Sequence, residues 1–183
     1  LVEPFLSNRS TRVRAQAILA LGRLAPRESV DRFLDALASE SPRVSRAAAA
    51  VLATRGCRDV APDVWEQLLR SDLLHVSRNA LFLTSRLSKW DCPSLLLQAL
   101  AHDEETVRQR ARVYLCRWKE RFNRSFVPPT EEQLRRAEQS ISDYMGRVPI
   151  CLSDVVRGVI EDFRRALKAM MPTLLLDLPT VMA

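Results

Sequence analysis

One pattern of apolar and polar positions recurs four times along the chain. Its first copy is Arg12-Val13-Arg14-Ala15-Gln16-Ala17-Ile18-Leu19-Ala20-Leu21-Gly22-Arg23-Leu24, and the others begin at Val44, Val76 and Val107. Four residues after each Val stands an Ala (Ala17, Ala48, Ala80, Ala111), and eight residues after it Leu21, Leu52, Thr84 or Leu115. At about 100° per residue, Val13, Ala17, Ala20, Leu21 and Leu24 fall on one stripe, so each copy predicts an amphipathic helix. The small Ala in mid-stripe lets a second helix approach closely. The Val-to-Val steps are 31, 32 and 31 residues. So regular a period predicts repeat architecture, in which each unit needs its neighbours to bury its apolar face.

A second amphipathic segment precedes each copy. Val2–Ser7 holds the end of one, and Glu28–Ser39, Asp59–Arg70 and Pro93–Ala101 follow. Their anchors Leu6, Leu37, Leu69 and Leu100 all lie seven residues before the repeat Val. A unit therefore reads as an outer helix, a short turn and an inner helix. Pro26, Pro42, Pro62 and Pro93 fall at helix starts or turns, where a missing N–H costs little. Ser29, Asp59 and Asp91 are expected N-caps. Most of the second inner helix, Arg43–Arg55, is apolar or small around its circumference, as expected for a helix flanked on both sides.

Residues 1–122 thus comprise four units, with 123–129 as a linker and 130–183 as a C-terminal cap. Thr130 is expected to cap a helix whose first turn holds Glu131 and Glu132, complementing the macrodipole. A last helix opens at Ser153-Asp154 with Val155, Val156, Val159, Ile160, Phe163 and Leu167 as its stripe, a degenerate fifth unit. The apolar tail Met170–Ala183 either packs on that helix or begins whatever follows. The chain opens Leu1-Val2-Glu3 without Met and is read as part of a longer or processed protein.

Composition narrows the class. Apolar residues make up 47 % of the 183 positions and Gly only four, which favours helix. No apolar run is long enough to span a bilayer, and no signal peptide is visible, so a cytoplasmic protein is expected. Cys57, Cys92, Cys116 and Cys151 stand apart with no C-x-x-C pair, and the histidines are His75 and His102. Unpaired thiols are the reading, with no metal site and no cofactor.

Helix pairs at this spacing, with Val-Arg or Val-Ser opening the second helix and Ala four residues on, resemble the short HEAT-like repeats of the phycobilisome-lyase type. The resemblance covers Leu1 to Trp118 well and Thr130 to Leu167 loosely. It implies an all-α, right-handed α-solenoid with a divergent C-terminal helical cap, whose second helices line a concave surface. It also implies a ladder in which a turn acid pairs with the Arg after the Val. Glu40, Asp72 and Asp103 occupy the turns, and Arg14 and Arg108 keep the Arg, but Ser45 and Ser77 replace it.

Charge separates between the layers. Arg12–Leu24, Arg43–Arg55, His75–Ser88 and Thr106–Lys119 hold no Asp or Glu and thirteen Arg or Lys. The outer segments carry Glu28, Asp31, Asp35, Glu40, Asp59, Asp63 and Glu66. The net charge is +6, with 25 Arg among the 28 basic residues. Arg46 and Arg78 share the slot two past the Val, and Arg23, Arg86 and Arg117 the slot ten past it. Arg12 and Arg43 sit at inner-helix N-termini, where the macrodipole disfavours a cation. With the resemblance, this predicts a basic concave groove and an acidic back. The candidate binding residues are Arg14, Arg23, Arg46, Arg78, Arg86, Arg108, Arg112 and Arg117. The competing reading has Arg stems covering apolar surface with their heads paired to turn acids.

No Gly-rich phosphate loop, Ser/His/Asp set or metal triad is present. A HEAT-like DNA glycosylase would place aromatics and a carboxylate on the concave face. The inner helices lack the carboxylate, and Trp65, Trp90 and Trp118 fall in three different contexts. The expected role is therefore a non-enzymatic protein-interaction scaffold or sensor module that binds an acidic protein partner, with no membrane association. The alternative is a nucleic-acid-binding module using the Arg track.

Overall fold

Each copy of the pattern forms a helix in the computed structural model, which describes residues 2–24, 30–57, 59–122 and 127–147 and six positions between 158 and 169. The elements are α1 (Glu3–Leu6), α2 (Thr11–Leu24), α3 (Val30–Leu37), α4 (Pro42–Arg55), α5 (Pro62–Leu69), α6 (Leu74–Thr84), α7 (Cys92–Ala99), α8 (Glu105–Phe122) and α9 (Glu131–Arg147). No strand occurs among the described residues.

Proline sets several starts. Pro42, Pro62 and Pro93 stand at the first or second helical position, so the missing N–H removes a donor that would have no partner there. Ala61 rather than Asp59 is the N-cap of α5. Asp91 occupies the N-cap of α7 without capping it; its carboxylate accepts from the Ser88 hydroxyl and from the Gln133 amide. Pro26 and Ser29 lie outside the described residues. Thr130 forms a reciprocal box with Gln133: the Gln133 N–H donates to Thr130 Oγ1 at 3.2 Å, and the Thr130 N–H to Gln133 Oε1 at 3.0 Å.

The second helices α2, α4, α6 and α8 touch one another in chain order, and α1, α3, α5 and α7 each pack on the second helix of their pair. α9 packs on α7, as the next first helix would. Lys119 on α8 forms an ion pair with Asp162 at 2.6 Å. The segment expected as a linker is anchored at its end, because the Trp90 indole N–H donates to the Val127 carbonyl at 2.6 Å. Val155, Val156 and the tail from Met170 lie outside the described residues.

The core follows the repeat register. Val44, Val76 and Val107 are buried, as are Ala17, Ala48, Ala80 and Ala111 and, four further on, Leu21, Leu52, Thr84 and Leu115. Thr84 takes a Leu slot by donating its hydroxyl to the Leu81 carbonyl at 3.0 Å, which leaves its methyl to pack. Anchors Leu37, Leu69 and Leu100 are buried, and Leu6 is half-buried against the same core. Leu24 departs from the predicted stripe: it is the last residue of α2 and 72 % exposed. Trp118, at the equivalent position of α8, is half-buried against the core.

Candidate interaction surface

The turns between paired helices use one device four times. The residue five before each repeat Val is Asn8, Ser39, Ser71 or His102. Its side chain accepts the N–H two residues on: Ser10 to Asn8 Oδ1, Ser41 to Ser39 Oγ, Leu73 to Ser71 Oγ and Glu104 to His102 Nδ1, all at 2.9–3.2 Å. Its carbonyl accepts from a side chain further on. Arg14 donates to the Asn8 carbonyl at 2.8 Å, Ser77 to Ser71 at 2.9 Å, and Arg108 to His102. The Ser39 carbonyl is 2.9 Å from His75 Nε2 of the following unit, so that nitrogen carries a hydrogen.

The expected ladder from turn carboxylates to the Arg after the Val is therefore a ladder to turn carbonyls. Where the Arg is replaced, Ser77 performs the same role, while Ser45 accepts from Asn79 across the α4–α6 contact at 2.9 Å. Glu40, Asp72 and Asp103 make no ion pair through their carboxylates among the described residues. Removing one donor tests the ladder. Ser77→Ala is expected to cost about 1 kcal/mol, the usual loss for one such hydrogen bond, and Ser77→Thr less. Urea unfolding of both variants checks the ranking.

The candidate cations divide by what their heads do. Arg14 and Arg108 are committed to the turns, and Arg108 also meets Glu105 at 2.6 Å. Arg112 reaches the same carboxylate at 3.9 Å, and its Nε is buried without a hydrogen-bond partner. Arg78 donates to Thr106 Oγ1 at 2.8 Å, bridging α6 to the start of α8. Arg23, Arg46, Arg86 and Arg117 are exposed. The fourth inner helix begins one residue earlier than expected, and its Glu105 places a carboxylate beside two of the candidate arginines.

Two grooves collect the cations that remain. The first, of about 940 Å³, runs over the N-terminal halves of α2 and α4. Arg12, Arg43 and Arg46 rim it, Ala15, Ala47 and Ala50 form its floor, and no carboxylate lines it. Neither helix has an acidic residue in its first turn. Arg12 and Arg43 thus stand against the positive ends of two macrodipoles, an arrangement that costs roughly 0.3–1 kcal/mol per charge. The second groove, of about 410 Å³, lies at the C-terminal ends of α6 and α8. It gathers Arg86 and Arg117 with Lys89, Arg121, Phe82, Tyr114 and Trp118. The Val-based register picks out Arg86 and Arg117 but not Lys89, which lies in a turn. Arg121 was legible at i+4 from Arg117. On the outer helices Asp31, Asp35 and Asp63 are exposed.

Burial rather than pairing governs the described cysteines. It pushes the Cys57 thiol up to about 11, partly offset by the Arg86 charge, and the buried Cys92 thiol up to about 12, where the Asp91 charge adds to it. Cys116 is also free, and Cys151 lies outside the described residues. Among the described residues no group of His, Cys, Asp or Glu could hold a metal ion, and no helix is long and apolar enough to cross a membrane.

Comparison with known proteins bears on the N-terminal half. The family model described as HEAT repeats matches residues 1–84, which span α1 to α6. No curated protein and no solved structure matches the chain. HEAT repeats generally serve as protein-interaction scaffolds. The paired helices, the period and the family match agree over residues 1–84: this part of the chain is similar to HEAT repeats.

Proposed function

We propose that this chain is a non-enzymatic protein-interaction scaffold, a right-handed α-solenoid of HEAT-like units with a divergent C-terminal cap, that binds an acidic partner through a basic concave face. The observation that carries the reading is the first groove. Arg12 and Arg43 sit where a cation opposes helix stability, and neither they nor Arg46 make an ion pair among the described residues. Charges placed against the fold's own electrostatics and left without a carboxylate are suited to an anionic partner. A groove of one sign raises the local concentration of the opposite sign and speeds encounter, most at low salt. The small Ala floor leaves room for a chain or helix to lie along α2 and α4. Arg23 and Arg78 extend the same face, while Arg14, Arg108 and Arg112 support it from the turns and from α8.

α2, α4 and α6 carry no carboxylate, and the Glu105 carboxylate at the start of α8 is engaged by Arg108. The second helices form an unbroken series of contacts from α2 to α8, as the inner layer of a stack would.

The test compares two double charge reversals that change net charge equally. Arg43→Glu/Arg46→Glu alters the groove; Arg32→Glu/Arg70→Glu alters first helices, where Arg32 pairs with Glu3 and Arg70 with Glu66. The probe is a labelled Asp/Glu-rich peptide, titrated at low and at physiological salt. The groove pair is expected to weaken binding by about tenfold or more and the outer pair by far less. Equal losses would remove the groove as a site. Tighter, steeply salt-dependent binding of a labelled DNA duplex would favour the nucleic-acid reading, since phosphate contacts release counterions.

A further inference from the structure

We infer that the second groove, between the C-terminal ends of α6 and α8, takes an acidic segment of a partner protein that inserts a bulky apolar side chain between its carboxylates. The inference rests on the reading of the chain as a protein-interaction module and assigns it a second, separate contact with its own chemistry.

Apolar surface and positive charge converge here. Phe82, Leu87, Tyr114 and Trp118 all line the groove, and all four are only partly buried against the core. Arg86, Lys89, Arg117 and Arg121 surround them, with no Asp or Glu among the lining residues. Arg117 and Arg121 make no ion pair among the described residues. Helix-end electrostatics do not account for the charge. The two C-termini together supply roughly one negative charge, against the three arginines Arg86, Arg117 and Arg121. The exposed stripe continues along α8 through Val113, an aliphatic side chain 48 % exposed between Arg110 and Arg117. A mixed basic and apolar surface is complementary to a mixed acidic and apolar segment. Carboxylates meet the guanidinium forks, and an inserted side chain completes the burial of the four half-buried ones.

The ring geometry favours a peptide over a nucleic-acid strand. A base needs an open aromatic face to stack on. The Arg86 guanidinium already lies over the Phe82 ring at 5.5 Å and occupies that face. The Trp118 indole N–H is fixed on the Lys89 carbonyl at 2.8 Å. That bond ties the wall on α8 to the turn after α6, so the recess is formed before a partner arrives and little ordering cost accompanies binding.

The experiment uses the whole chain and three labelled probes: an Asp/Glu-rich peptide with one central Leu, its twin with Ser at that position, and an oligodeoxythymidylate. The Leu peptide is expected to bind more tightly than the Ser twin by about fivefold or more, the effect of partly burying one large side chain. Arg117→Ala/Arg121→Ala is expected to remove about tenfold or more of that affinity. Both positions are exposed, so the variant is expected to melt like the parent. Loss of the Leu-over-Ser preference on adding Trp118→Ala would place the apolar contact in this groove. Equal binding of the two peptides overturns the inference, as does a preference for the oligonucleotide that the Arg117/Arg121 variant abolishes. If binding survives that variant but falls with Arg43→Glu/Arg46→Glu, the inference fails while the proposed function stands. If neither peptide binds at low salt, both fail.

Discussion

Trp90→Ala is expected to destabilise the protein by about 3–5 kcal/mol, the range for deleting a large buried aromatic. Trp90 is 2 % exposed although it lies in the turn between α6 and α7 rather than inside a helix. Its indole N–H is donated to the Val127 carbonyl, which anchors the segment entering α9. Two losses therefore combine: the cavity left by the ring, and a carbonyl deprived of its donor. Trp90→Phe separates them. It keeps most of the apolar volume and loses the hydrogen bond, so it is expected to cost nearer 1–2 kcal/mol. Urea unfolding of the three proteins measures the ranking. Equal losses from Ala and Phe would mean that the bond to Val127 outweighs the packing, and a parent-like Trp90→Ala would remove Trp90 from the core.

Trp90 also marks what the sequence carries and what it hides. Val44, Ala48 and Leu52 are legible because a period of 3.6 inside a period of 31 or 32 leaves few other ways to bury them. The register names Ala80 and Ala111 as core positions without further information, and both are fully buried. It misplaces Leu24 because a helix end is the point where the stripe loses its neighbour. It says nothing of Trp90, since a turn residue has no periodicity and its partner, Val127, is 37 positions away. The turn ladder was half legible. Arg14 and Arg108 stood out, but the acceptor proved to be a backbone carbonyl, which no residue type announces.

The candidate surface divides in the same way. Counting charge on the inner helices identifies Arg46, Arg86 and Arg117 as exposed cations. It does not tell a free guanidinium from one tied to a turn, so Arg14 and Arg108 look the same as Arg46 in sequence. Nor does it separate the two grooves. That separation comes from the turn after α6 and the last turn of α8, which bring Lys89 and Arg121 beside the aromatic side chains at one end of the helices.

Gly22→Ala is expected to lower stability, against the ordinary helix preference. In the middle of a helix Ala is favoured over Gly by roughly 0.8–1 kcal/mol, and Gly22 lies within α2. Here an added Cβ would stand 2.6 Å from Val51 Cγ1 and 2.7 Å from Cγ2 on α4. Val51 is buried and β-branched, so its side chain has little freedom to rotate away. The two helices must separate, and overpacking of this kind costs about 1–3 kcal/mol, enough to outweigh the propensity gain. Ala53, Ser85 and Cys116 hold the slot equivalent to Gly22 in the later units, nine past the Val, and all are small. Val51→Ala alone should also destabilise, by leaving a cavity. Combined with Gly22→Ala it opens the space the new methyl needs, so the double variant should be more stable than the sum of the two losses, with a coupling of about 0.5–3 kcal/mol. Thermal and urea unfolding of the four proteins in the cycle give that value. A Gly22→Ala variant more stable than the parent, or losses that simply add, would mean that α2 and α4 do not meet through Gly22 and Val51. The stacking of the first unit on the second would then rest on the Ala stripe alone.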